Sequence, residues 1–68
     1  MKLQVQVNGV QTELGSPLTI ADLLARHGLK PETVVVEHNF LVPRKEEYGR
    51  IALNNGDRVE IVKFMGGG

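Results

Sequence analysis

The chain has 68 residues, no cysteine, and eight Lys+Arg against eight Asp+Glu, for a formal net charge of zero. A chain this short makes one small domain that buries only about 60% of the surface its unfolded form exposes, so an enzyme pocket of ~300 Å³ or more fits poorly. The missing cysteines exclude a disulfide framework, a cysteine zinc site and a cysteine nucleophile, and balanced charge leaves no basic stripe to hold a nucleic-acid backbone.

Met1-Lys2-Leu3 leads straight into alternating residues, so no signal peptide is expected. No apolar run approaches the ~20 residues of a membrane span. A soluble, cytoplasmic protein with no membrane or nucleic-acid partner is expected. From Lys2 to Val7, Leu3, Val5 and Val7 fall on one face and Lys2, Gln4 and Gln6 on the other, the period of a half-buried strand. Asn8-Gly9 follows, a strong two-residue hairpin signal because both residues accept positive φ. Val10, Thr12 and Leu14 alternate again, which predicts an N-terminal hairpin.

A helix is predicted over Ile20 to His27. Thr19 suits the N-cap, Asp22 completes a capping box, and Leu18 and Leu23 hold the positions of a hydrophobic staple. Ile20, Leu23, Leu24 and His27 follow i, i+3, i+4, i+7 spacing, which makes His27 a half-buried structural histidine. Gly28 suits the left-handed position after the helix, and Pro31 prevents its resumption.

Val34 to Glu37 is a β-branched run and a third strand. Asn39-Phe40 makes a tight turn into Leu41-Val42, where Pro43 stops regular pairing. Lys45 to Tyr48 can form one helical turn. Ile51 and Leu53 pack before a second turn at Asn55-Gly56. Arg58 to Phe64 is the last strand, with Val59 and Ile61 inward and Glu60, Val62 and Phe64 on the other face. The order ββαβ(β)β predicts an α+β fold of the β-grasp, ubiquitin-like type. It has a mixed sheet of four to five strands and one helix packed across it. Residues 1–65 form the body, and residues 66–68 form a flexible Gly-Gly-Gly tail.

Few side chains suggest chemistry. His38, at a strand end, is either solvated or packed. Two histidines without cysteines or clustered acids make no metal site. Ser16 serves a turn before Pro17, Glu46-Glu47 reads as a solvated face, and Asp57 and Arg58 serve the turn and strand entry. Tyr48 reads as packing and Gly56 as a turn residue. No residue is assigned a catalytic role.

Several segments together resemble the ThiS family, the sulfur carriers of thiamine-thiazole biosynthesis, over the whole chain. They are Val7-Asn8-Gly9, Thr19 to Leu24, Glu37-His38-Asn39, Val42-Pro43-Arg44, Asn55 to Val62 and the terminal Phe64-Met65-Gly66-Gly67-Gly68. An Asn-Gly-Asp strand entry is common to many β-grasp domains. A chain ending on Gly-Gly directly after that strand is more specific, and Val-Pro-Arg favours the thiamine branch over the molybdopterin-synthase small subunit. One departure is Phe40, where members often carry Gly, so Asn39 is expected to take the positive-φ position alone.

The resemblance implies a protein cosubstrate, with no bound cofactor, rather than an enzyme. A ThiF-like adenylating enzyme uses ATP to convert the Gly68 carboxylate to an acyl adenylate. Sulfur from a cysteine desulfurase route displaces AMP and leaves a C-terminal 1-thioglycine, and a ThiG-like thiazole synthase takes the sulfur. Gly66 and Gly67 give access, since glycine has no Cβ to block a narrow channel. The apolar Val62, Phe64 and Met65 beside the tail suggest a partner-docking patch. Carriers for molybdopterin or tRNA thiolation are the alternatives within this class. A non-covalent β-grasp binding module of the TGS type is the alternative outside it.

Overall fold

A computed structural model describes residues 2–64. Met65 and Gly66 to Gly68, and with them the predicted boundary between body and tail, lie outside the described residues. Strands β1 (Leu3–Val7) and β2 (Val10–Leu14) form the N-terminal hairpin, paired from Leu3 with Leu14 to Val7 with Val10. Asn8 at φ 49° and Gly9 at φ 81° turn it. Two successive positive φ values match the twist of the flanking strands.

Helix α1 spans Ile20–Arg26. Its start is closed on three sides. The Asp22 N–H donates to Thr19 Oγ1 and the Thr19 N–H to the Asp22 carboxylate, both at 3.1 Å. The Ile20 N–H donates to the Ile51 carbonyl and the Ala21 N–H to the Tyr48 carbonyl, each at 3.0 Å. The first-turn donors that a helix leaves without internal partners thus fasten the loop before the last strand onto the helix.

The helix end departs from expectation at one residue. His27 is the C-cap, with ψ near 5°, and its side chain is exposed. The helix stops one position short of carrying His27 onto the apolar face. Gly28 takes φ 67°, its N–H bonds the Ala25 carbonyl, and the Leu29 N–H bonds the Leu24 carbonyl at 2.9 Å. This is a Schellman closure, and it lays Leu29, not His27, against the core.

A short 3-10 turn, Pro31–Thr33, leads into β3 (Val34–His38), and a second, Lys45–Glu47, precedes β4 (Arg58–Lys63). The sheet order is β2-β1-β4-β3. β4 runs parallel to β1 and antiparallel to β3, pairing Lys63 with Val34 and Val59 with His38. Among the described residues the sheet therefore has four strands. The expected extended piece Leu41-Val42 is reduced to a single bridge between His38 and Leu41, because Pro43 follows at once and supplies no N–H to continue a ladder. A mixed sheet of this order with one helix across it is the β-grasp.

One face of the sheet and the helix share the core. Leu3, Val5, Val7, Leu14, Val34, Val36 and Val59 meet Ile20, Leu23 and Leu24, with Tyr48 and Leu53 closing the side. Leu18 packs against it, as a staple residue should. The Thr19→Ala variant should lose about 1 kcal/mol of unfolding free energy, read as a lower urea midpoint at unchanged slope, and Thr19→Ser should retain most of it.

Candidate functional site

The described residues of the predicted site, Val62 and Phe64, lie at the far end of the last strand. The Phe64 N–H donates to the Thr33 carbonyl at 2.9 Å, which fixes the strand up to the last described residue. Val59 is fully buried, whereas Val62 is 61% and Phe64 55% exposed. The alternation assigned to β4 is therefore present, and the two apolar side chains of the expected docking patch stand in solvent. Met65 and the glycines Gly66, Gly67 and Gly68 lie outside the described residues.

Val62 does not stand alone. A shallow groove of about 250 Å³ on the face away from the helix is lined by Val35, Glu37, Val42, Arg58, Glu60 and Val62. It falls below the ~300 Å³ at which small-molecule pockets begin, so its shape favours a surface contact over a bound metabolite. Arg58 reaches Glu60 across it at 3.2 Å. On the other half of the same face, Gln11 Nε2 donates to Gln4 Oε1 at 2.7 Å, so the β1–β2 half is polar and the β3–β4 half is apolar with charged edges.

At the opposite end of β4 the structure assembles a cluster that sequence reasoning left dispersed. Asp57 is buried. Its carboxylate accepts from His38 Nε2 at 2.8 Å, from Asn39 Nδ2 at 3.1 Å and from the Asn54 N–H at 2.8 Å. The Arg58 N–H donates to Asn39 Oδ1 at 2.9 Å, and the Asn39 N–H donates to the Arg58 carbonyl at 2.8 Å. His38 is thus packed, not solvated. Asp57 does serve the turn, as expected, and also links it to β3. The pairing was missed because His38 and Asp57 lie 19 residues apart; the one available signal was a His-Asn pair at a strand end in a chain with an Asn-Gly-Asp entry. Among the described residues no group of three His, Cys, Asp or Glu side chains could hold a metal ion.

The cluster holds the turn after β3. His38 and Leu41 exchange two backbone hydrogen bonds, at 2.7 and 3.0 Å, which leaves a two-residue loop. Such a loop needs positive φ at both positions to match the sheet twist. Asn39 takes φ 50° and Phe40 takes φ 71°, so Asn39 does not carry the left-handed geometry alone as expected. For a bulky residue this conformation costs on the order of 1–3 kcal/mol. The Phe40 ring lies 4.7 Å beneath the Arg58 guanidinium, a cation–π contact that returns only about 0.5–1 kcal/mol at an exposed site.

Burial pushes the Asp57 carboxyl up, but the hydrogen bond from His38, those from Asn54 and Asn39, and the charge of His38 outweigh it and hold the carboxyl below its ordinary value. A carboxyl lowered on folding contributes stability that is present above the unfolded aspartate pKa of about 3.9 and lost as pH falls through the lower folded value. Asp57→Asn should remove that dependence. Acid unfolding of the variant should be less steep below about pH 4, and at neutral pH it should lose about 1–3 kcal/mol, because His38 and the Asn54 N–H keep a weaker partner.

The mixed sheet with its last strand in the interior, and the helix packed on one face, define the ubiquitin-like class. Comparison with known proteins narrows this. The ThiS family model matches residues 4–68. Sulfur carrier protein ThiS of Bacillus subtilis is 46% identical over 50 residues, which cover 74% of this chain and 76% of that protein. The crystal structure of thiamine biosynthesis protein ThiS from Geobacter metallireducens superposes with a TM-score of 0.83 at 33% identity, covering 97% of this chain and all of that one. This chain belongs to the ThiS family. A thiazole synthase of Paramagnetospirillum magneticum is 35% identical over 66 residues, 97% of this chain, and one of Magnetococcus marinus matches to the same extent. The chain spans about a fifth of the length of these two relatives.

Proposed function

We propose that this chain is the sulfur-carrying cosubstrate of thiazole formation and that Gly68 is the residue modified. The observation that carries the reading is the family match running through Gly68 on a body whose last strand leads towards it.

The chemistry suits a carrier without catalytic side chains. A carboxylate is a poor acyl donor because its leaving group would be oxide. A ThiF-like enzyme joins one Gly68 carboxylate oxygen to the α-phosphorus of ATP and releases pyrophosphate. A persulfide supplied through a cysteine desulfurase then attacks the acyl carbon with its outer sulfur, AMP leaves with that oxygen, and a thiol reductant cleaves the S–S bond to free the thiocarboxylate. The resulting thiocarboxylate passes its sulfur to thiazole synthase, a partner suggested by the two relatives of that name. ATP, every acid and every base belong to the partners, and the cytoplasm supplies them. Gly66 and Gly67 leave the carbonyl unhindered.

Ordering a glycine segment in a partner's channel costs roughly 1–2 kcal/mol per residue, so affinity must come from the body. The exposed Val62 and Phe64, with Met65 next in sequence, provide it. Charge placed in the middle of such a patch should be poorly tolerated.

Intact mass spectrometry after incubation with the adenylating enzyme, ATP and sulfide should show one oxygen replaced by sulfur on the C-terminal peptide. Deletion of Gly68 should abolish the change, and a competent partner that never produces adenylate or thiocarboxylate at Gly68 would refute the carrier reading. Val62→Asp or Phe64→Asp should slow adenylation at limiting carrier by about tenfold or more while the urea midpoint holds. An unchanged rate in both variants removes the docking role.

A further inference from the structure

The turn between β3 and Leu41 carries strain that the fold does not use. Phe40, at φ 71°, is 72% exposed, as is Leu41, and Val42 is 64% exposed. Three consecutive apolar side chains therefore stand in solvent, and none belongs to the core. Glycine at position 40 would make the same turn without strain.

The backbone behind the tip is nonetheless fixed from several directions. Asn39 is tied to Asp57 through its side chain and to Arg58 through both side chain and backbone, and His38 is tied to Asp57. A strained conformation persists only where its surroundings over-determine it, and such places concentrate at binding sites. The tip is also continuous with the groove, because Val42 lines it together with Val35 and Val62.

We infer that Phe40-Leu41-Val42 is a rigid apolar knob that seats in a pocket of the thiazole synthase accepting the sulfur, an inference that rests on the carrier reading above. Two relatives named thiazole synthase contain a segment similar to 97% of this chain within a fifth of their length. A body of this kind is therefore carried in one polypeptide with a thiazole synthase, which makes that enzyme the occupant. From Arg58 beside the tip to Phe64, just past the end of β4, the extended chain covers about 20 Å. A glycine segment alone fixes no orientation. A second contact that far away does, and a knob already rigid in the free protein loses little entropy on seating.

The test is titration calorimetry of the full chain against its purified cognate thiazole synthase, with urea unfolding in parallel. Phe40→Gly should raise Kd about tenfold or more without lowering the urea midpoint, since relief of backbone strain offsets the added chain entropy and the lost stacking. Phe40→Tyr, which keeps the ring, should bind as the parent. An unchanged Kd for Phe40→Gly overturns the knob; if Val62→Asp alone loses affinity, the docking face stands without it. Slower adenylation with unchanged synthase affinity would assign the tip to the activating enzyme, and loss of binding to phosphatidylserine vesicles alone would assign it to lipid. Either result overturns the inference. Thiocarboxylate formation at Gly68 is read separately by mass, so failure of the knob and failure of the carrier reading are distinguishable.

Discussion

One helix of seven residues can cover only one face of a four-stranded sheet. Seven residues extend about 10 Å along a helix axis, and four strands span about 14 Å across. Most of what distinguishes this molecule follows from that mismatch. The hydrophobic side chains of β1, β2, β3 and β4 that face α1 form the core, with Tyr48 and Leu53 filling the margin the helix does not reach. Among the described residues the other face has no internal cover. Over β1 and β2 it is polar, as solvent requires. Over β3 and β4 it presents Val35, Val42 and Val62 instead, and that is the half from which the chain leads to its glycines.

The irregular part of the chain is held by polar contacts as well as by the apolar anchors Leu18, Leu29, Tyr48, Ile51 and Leu53. A chain this small has little hydrophobic area left for its loops. The segment before β4 is fastened to the helix start through the Ile20 and Ala21 N–H groups, and the β3 turn is fastened to the β4 entry through Asp57. Both attachments use donors or acceptors that would otherwise be buried without partners, so each holds a loop and removes a penalty at once.

Periodicity and turn chemistry made much of this readable in advance. The hairpin at Asn8-Gly9, the capping box of Thr19 and Asp22, and the inward Val59 with outward Val62 and Phe64 all follow from local rules, and all are present. The misplacement of His27 is local too: i+7 spacing assumes one more helical residue than the Gly28 closure allows. Phe40 was misjudged because a two-residue loop sets the backbone of both its positions, whatever side chain occurs there. The Asp57 cluster was out of reach for a different reason. It depends on β3 and β4 being antiparallel neighbours in one register, which no short window of sequence states. For the candidate site, the exposed face was legible from alternation, whereas its continuation through Val42 and the hairpin tip required the fold.

The ladder between β1 and β4 has a further consequence. It is short: Gln6 pairs with Arg58 and Val7 with Val59, after which β1 turns away at Asn8. The side chain of Asn8 accepts from the Ile61 N–H at 2.6 Å and so caps the ladder where it stops. From there to Phe64, β4 keeps β3 on one side and, among the described residues, has no strand beside it on the other. The approach to the glycines is thus an interior strand that becomes an edge strand partway along. A protein that takes hold there can grip main chain through the same hydrogen bonds that build a sheet, and it can do so without reading any side chain.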